Sequence, residues 1–288
     1  MGAPEGGRLT VRVLVTGAGG QLGTDLAAAF TGDDLVAATR QQLDVADRDS
    51  VLQAVTTVRP DVIVHAGAWT AVDACESDPD RAFAVNALGT RHVAEGARLT
   101  GARVLYVSTD YVFDGTSPTP YTEWHEPNPL SVYGRSKLAG ERELDAGSTI
   151  VRVSWVCGPH GSNMVKTILR LAAEHEQLSF VDDQHGCPTF TGDLAEMIRH
   201  LAVARLPGTF HVTNQGPTTW FGLARAVLDA AGMDPERVRP IRTADMPRPA
   251  PRPANSVLDN AALRLMGIPL LPDWHEPLER TVKELLAS

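Results

Sequence analysis

Tyr133 and Lys137 stand four residues apart in the run Leu130-Ser131-Val132-Tyr133-Gly134-Arg135-Ser136-Lys137, so a phenol and an ammonium share one helix face, one turn apart. A phenol with an ordinary pKa of about 10 is a reluctant proton carrier at neutral pH. A nearby ammonium stabilises the phenolate and draws the group towards the range useful for general acid–base work. A hydroxyl placed opposite can hydrogen-bond a substrate carbonyl oxygen, and the apolar run that ends in Ser108-Thr109-Asp110 offers Thr109, with Ser108 as its competitor. The stretch from there to Tyr133 carries Asp114-Gly115-Thr116-Ser117-Pro118-Thr119-Pro120, which suits a chain leaving a sheet, looping out and returning as a helix. By spacing alone, Tyr133 and Lys137 are equally an exposed i,i+4 pair. Their company decides the reading.

That company is a glycine turn, Thr16-Gly17-Ala18-Gly19-Gly20-Gln21-Leu22-Gly23. Gly17, Gly20 and Gly23 follow one spelling of a dinucleotide turn, and Gly17 with Gly19 opens the commoner one. The turn follows the β-branched run Val11–Val15 and opens a helix, which is the context such a motif requires. Glycines admit a pyrophosphate to the backbone, and the helix N-terminus favours its charge. Gln21 and Leu22 fall at that N-terminus. The cofactor's 2′ group is read about 20 residues further on, where this chain has Thr39-Arg40 and no acid before Asp44. A cation there pairs with the 2′-phosphate of NADPH, so NADPH is expected, with NADH as the other nicotinamide the site can take. Arg40 also reads as a plain surface residue. Asp44 and Val45 suit either an adenine edge or a helix start. Ala66-Gly67-Ala68 suits either a cofactor lying against the backbone or a packing turn.

These residues need elements to hold them. Strands are expected at Val11–Val15, Leu35–Thr39, Val62–Ala66, Val104–Val107 and Ile150–Val156. Helices are expected over 21–30, 49–58 (with Asp47 or Asp49 as cap), 79–99 (opened by Pro79 and stopped by Gly101) and from Tyr133 to about Gly147. Strand and helix alternate, which implies right-handed βαβ units and a doubly wound parallel sheet of the α/β class. The second half changes character. Helices are expected over 164–175, 193–206, 220–231 and 276–286, and short strands at Leu178–Val181 and Thr209–Thr213. The proline-rich Met246–Pro253 forms an extended loop, a connector or a cleft lining whose arginines meet phosphates. The division expected is a flexible leader (1–10), a dinucleotide-binding domain (11–157) and a smaller mixed α/β substrate-binding domain (158–288) whose chain crosses back to the first.

The 288 residues are 43% hydrophobic and 21% charged, as in ordinary globular proteins. A net charge of −9 argues against a nucleic-acid surface. No apolar run approaches the roughly 20 residues of a membrane span, and Met1–Gly7 lacks the apolar segment of a signal peptide. Cys75, Cys157 and Cys187 are odd in number without a CxxC, which favours unpaired thiols and a cytoplasmic setting.

From Val11 to Ala287 the chain resembles the extended short-chain dehydrogenase/reductase family, on the glycine turn and Tyr133-x-x-x-Lys137. It is similar to the nucleotide-sugar reductases within that family on four further runs: Ser108–Gly115, Pro129–Gly134, Arg152–Val156 and Asp182–Thr189. The resemblance implies a Rossmann-like fold. It also implies reduction of the 4-keto group of a dTDP-linked sugar, dTDP-6-deoxy-L-lyxo-4-hexulose, by hydride from the nicotinamide. Tyr133 would then be proton donor, Lys137 ribose anchor and Thr109 carbonyl partner. Gly20, Gln21 and Leu22 would touch the pyrophosphate, Asp44 and Val45 the adenosine, and Ala66, Gly67 and Ala68 the ribose region. Asp110 and Trp155 would face the sugar, a flat indole suiting its apolar face, with Tyr111, Gln184 and Thr189 from the same motifs beside them. Some members of the family bind magnesium through acids at a dimer interface. Asp25 stands where one such member has a glutamate, but it is read here as a surface aspartate and no metal is assigned. The chain would be a monomer or a homodimer. Two other readings remain: a nucleotide-sugar epimerase or reductase of a different keto-sugar, and a non-catalytic regulatory subunit like the beta subunit of methionine adenosyltransferase, which would have a damaged catalytic set.

Overall fold

The computed structural model describes residues 11–287; the expected leader, 1–10, lies outside the described residues. Six strands form one wholly parallel sheet: β1 (Arg12–Thr16), β2 (Asp34–Ala38), β3 (Val62–His65), β4 (Arg103–Thr109), β5 (Thr149–Val153) and β6 (Gly208–His211). Their order is β6-β5-β4-β3-β1-β2. Alternation sorts their side chains. Val13, Val15, Val62 and Val64 face one layer, while Leu14 and Ile63 face the other. Both faces are covered, which is why these runs are apolar throughout rather than every second residue.

The first layer is α1 (Gln21–Ala29) with the helix Thr191–Val203, through Leu22, Leu26, Leu194 and Ile198. The second is α2 (Arg48–Val58) and α3 (79–100), through Val51, Val55, Val93 and Ala97. Asp47, not Asp49, caps α2, accepting from the amides of Asp49 and Ser50. Asp78 and Pro79 open α3, and Gly101 closes it in the left-handed region at φ 75°. The single helix expected there is interrupted. Residues Ala84–Leu88 form a π turn, inside which buried Asn86 accepts from the Trp69 amide (2.8 Å) and donates to the Trp69 carbonyl (3.1 Å) and to Ser136 Oγ (2.9 Å). The wider turn lets one side chain tie the loop after β3 to α4 (Val132–Glu141), the helix that carries Tyr133 and Lys137.

Three expectations are corrected. α4 ends at Glu141 instead of continuing towards Gly147: the amides of Glu143 and Leu144 turn to the carbonyls three residues back, Gly140 and Glu141, while Glu143 and Asp145 pair with Arg91 and Arg98 of α3. The strand expected over 150–156 stops at Val153. Trp155 takes a left-handed backbone, φ 47°, which turns the chain out of the sheet into the short pairing of Val156–Cys157 with Thr189–Phe190. The run expected as a strand of the second half, 209–213, instead begins at Gly208 and pairs with β5 as the sixth strand of the main sheet.

A second core gathers the helices Met164–Glu174, Trp220–Ala230 and His275–Ala287 around the parallel pair Leu178–Val181 and Val238–Ile241. The proline-rich stretch acts as a connector. Its Ala250 amide and Arg252 guanidinium both bond Asp73, and Pro253 presses on Gly115, so Arg252 is engaged by a carboxylate. No described helix is long and apolar enough to cross a membrane.

Candidate active site

The strand order reverses at β1, with β2 on one side and β3 on the other, and an open α/β sheet binds ligands in the crevice beyond such a point. Here the crevice is a cleft of about 810 Å³, walled by the glycine turn, by Ala66, Gly67 and Ala68, and by Arg40, Asp44 and Val45. Thr109, Asp110, Tyr111, Tyr133, Lys137 and Trp155 line the same cleft. Gly17 and Gly67 meet across its floor. A Cβ on Gly17, whose φ is 73°, would lie 2.7 Å from Gly67 Cα. Bare backbone beside the N-terminus of α1 is the cradle a dinucleotide's pyrophosphate requires, so these residues fit such a cofactor.

Arg40 lines the cleft with most of its side chain exposed, and its guanidinium is 3.9 Å from Asp44. Asp44 also accepts from the Ala46 amide at 3.0 Å. Gln21 reaches across the mouth, donating to the Val156 carbonyl (3.1 Å) and accepting from Asn163 (2.6 Å), so residues 156–163 roof the glycine turn. Sequence reasoning missed this roof, although Gly161 and Ser162 line the cleft. The available signal was Asn163, which caps the following helix.

At the reacting end, Ser131 caps α4 and Gly134 lies where a Cβ would be 2.2 Å from the Tyr111 carbonyl oxygen, so the helix presses closely on the turn Asp110–Val112 that follows β4. Tyr133 is buried edge-on to Tyr111, ring centroids 5.5 Å apart. Burial lifts its hydroxyl well above the ordinary tyrosine range, and the leading opposing influence is the Thr109 hydroxyl. Lys137 was expected to lower Tyr133. Instead its ammonium donates to the Val107 carbonyl (2.7 Å) over the Tyr106 ring, and burial pushes it down to about 7. The phenol is therefore held loaded with its proton, the form an acid needs. Thr109 donates to Asp110 (3.0 Å) and accepts from the Tyr111 amide (3.2 Å). Its proton must turn away from Asp110 to meet a carbonyl. Burial raises Asp110 to about 6 against the hydrogen bonds of Ser256, Thr109 and Ser154.

Two expected sugar contacts lie elsewhere. Thr189 is fully buried and bonds the Cys187 carbonyl, outside the cleft lining, because the pairing of Val156 with Thr189 turns it inward. Gln184 is also behind the wall. It accepts from Trp220 Nε1 (3.2 Å) and donates to Thr243 (3.0 Å). Trp220, missed in the sequence, stacks on Trp155 at 3.6 Å with both rings at the cleft. Gly186 backs Trp155 so closely that a Cβ would meet the indole. Asp25, the acid considered for a metal, faces His160 at 3.5 Å, and no cluster of three metal-binding side chains occurs among the described residues. The three cysteines are buried and unpaired.

Burial also dictates an acid response. His65, at the end of β3 and bonded to Thr16 (2.7 Å), and His211, at the end of the edge strand β6, are both pushed down to about 3 by burial. Folded, they stay neutral between 6.5 and 3, whereas the unfolded chain takes up protons there, so they remove stability as pH falls through that window. Asp114, depressed by its hydrogen bonds, acts in the same direction, while Asp110 and Glu123, raised by burial, oppose it. Because these contributions offset one another, the imidazoles are best read directly: the ring resonances of His65 and His211 are expected to stay those of the neutral form from pH 6.5 to 4 in an NMR titration. Titration of either ring near 6.5 would contradict the neutral buried assignment.

Residues 11–287 match the family model described as RmlD substrate binding domain. The chain belongs to this family. It is 43% identical over 286 residues to a dTDP-4-dehydrorhamnose reductase of Streptomyces griseus, covering 95% of this chain and 94% of that one. It is 42% identical to a dTDP-4-keto-6-deoxy-D-glucose reductase of Streptomyces niveus, covering 97% and 99%. Among solved structures, a dTDP-4-dehydrorhamnose reductase of Bacillus anthracis in complex with NADP superposes with a TM-score of 0.92 at 41% identity, over 96% of this chain and all of that one. The family carries the doubly wound α/β fold expected from the strand pattern.

Proposed function

We propose that this chain is an oxidoreductase that reduces the 4-keto group of dTDP-6-deoxy-L-lyxo-4-hexulose to dTDP-L-rhamnose with NADPH, in the cytoplasm. The observation that carries the reading is the convergence of Thr109, Tyr133 and Lys137 on one cleft with the glycine cradle. An intact set of this kind speaks against a regulatory subunit. Bound NADPH supplies the hydride to the carbonyl carbon. Tyr133 gives its proton to the forming alkoxide, and Thr109, turned from Asp110, donates to the same oxygen. Lys137 anchors the ribose, the backbone at Gly20, Gln21 and Leu22 holds the pyrophosphate, and Arg40 meets the 2′-phosphate. Asp44 and Val45 take the adenosine. The indole of Trp155, backed by Trp220, packs on the sugar's apolar face. In this division 11–157 carries the cofactor, and 158–288 mainly the sugar, apart from the helix Thr191–Val203 and β6, which return to the main sheet.

The test offers the protein dTDP-6-deoxy-L-lyxo-4-hexulose or dTDP-4-keto-6-deoxy-D-glucose, each with NADPH or NADH, and identifies the product by NMR. Fast turnover of the first sugar to dTDP-L-rhamnose is expected. Consumption of the second sugar alone would replace the substrate with the one in the Streptomyces niveus relative's name. Oxidation with neither sugar, by protein that binds NADPH, would favour the regulatory reading. Arg40→Ala is expected to raise KM for NADPH about tenfold and to leave NADH nearly unchanged.

A further inference from the structure

A buried charge pair lies behind α4, and nothing in the reaction so far uses it. Glu141 and Arg152 are 7% and 5% exposed and meet at two points, 3.0 and 2.7 Å apart. Ser108 donates a further short hydrogen bond to the same carboxylate. Such a pair is a weak source of stability, since apolar residues of similar volume often serve as well. Its position gives it a different use. Tyr133, Lys137 and Glu141 recur every four residues, so one face of α4 carries all three. That face presses on the end of β4, with Tyr133 at Thr109, Lys137 on the Val107 carbonyl and Glu141 on Ser108.

Lys137 as a whole residue is 2% exposed. The titratable groups around it are Tyr133 and Glu141 on its own helix, Tyr106 on β4 and His65 on β3. Burial keeps both tyrosines and the histidine uncharged. Glu141 is the anion among them. Burial lowers Lys137, and Glu141 raises it. The two side chains leave the same face of α4 one turn apart and grip neighbouring residues of β4, Ser108 and Val107.

We propose that Glu141, clamped by Arg152 and Ser108, is a positioning residue that keeps the buried Lys137 ammonium charged when the cleft works at neutral pH. The proposal rests on the reading of Lys137 as ribose anchor, and its test is built to be independent of turnover. The chain has three lysines, Lys137, Lys166 and Lys283, so the full protein with 13C-labelled lysine gives one buried ε-carbon resonance to titrate beside two references.

Glu141→Gln alone strands Arg152, so the decisive variant is the double Glu141→Gln, Arg152→Met. Its Lys137 resonance is expected to titrate about one pH unit lower than in wild type, with Lys166 and Lys283 unmoved. The alkaline limb of kcat/KM should move down with it, costing about tenfold above neutrality and little at acid pH. A folded double variant whose Lys137 titrates as in wild type would overturn the proposal, as would a rate loss equal at every pH. If wild type reduces no keto-sugar yet the resonance moves, the reading of the function fails and the charge relation stands.

Discussion

Tyr133→Phe is expected to lower kcat by roughly 10²–10⁴-fold while leaving NADPH affinity within about threefold. The substitution keeps the ring that packs with Cys75, Ala82 and Val132 and stands edge-on to Tyr111, so the fold has no reason to change. It removes the hydroxyl opposite Thr109. Burial holds that hydroxyl protonated, and the reductive direction needs a donor, so a phenol that is hard to ionise is ready for its first task. Steady-state kinetics beside equilibrium NADPH binding check the claim. If turnover survives, the alkoxide takes its proton from another source, and Asp110, raised to about 6 and bonded to Thr109, becomes the next candidate.

How legible this site was in the sequence follows from what each signal encodes. The glycine turn and Tyr133-x-x-x-Lys137 are local patterns, each held on a single turn or helix, and both fall on the cleft. The run 209–213 announced extended backbone, but pairing partners are not local, and nothing in it told that β5 would receive it. From the motif 182–189, the resemblance implies two sugar contacts, Gln184 and Thr189. The pairing of Val156 with Thr189 turned Thr189 inward, and Gln184 was taken up by Trp220.

Trp220 itself carried no chemical signature. Its meeting with Trp155 depends on a left-handed backbone at a tryptophan, a conformation that residue type does not announce. The π turn in α3 was hidden for a related reason. Its helix has the right apolar spacing, and only the tertiary partners of Asn86 explain the extra residue. The placement of Lys137 relative to Tyr133 is not legible in the sequence, because spacing gives proximity on a helix face, not where a long side chain ends. Here it ends on the Val107 carbonyl.

Gly23→Ala should cripple the cofactor end as severely as Tyr133→Phe cripples the reacting end. A Cβ at Gly23 would stand 2.2 Å from the Gly17 carbonyl oxygen and 2.6 Å from Ala18 Cα. Both are backbone atoms, and the same carbonyl accepts the Gly20 amide at 2.9 Å, so neither can swing aside without breaking the turn. Either α1 must lift from β1 or the turn must open, and each carries the helix N-terminus away from the place a pyrophosphate would occupy. NADPH affinity is expected to fall on the order of 100-fold, with about 3 kcal/mol of stability lost to overpacking. Gly19→Ala is the control. Its Cβ would lie 3.4 Å from the Thr39 methyl, ordinary contact with a side chain, so its Tm should stay within about 2 °C of wild type. Wild-type NADPH affinity in Gly23→Ala would remove the glycine turn from the cofactor site. A loss of Tm as large in Gly19→Ala as in Gly23→Ala would show that close backbone approach is not what the glycines serve.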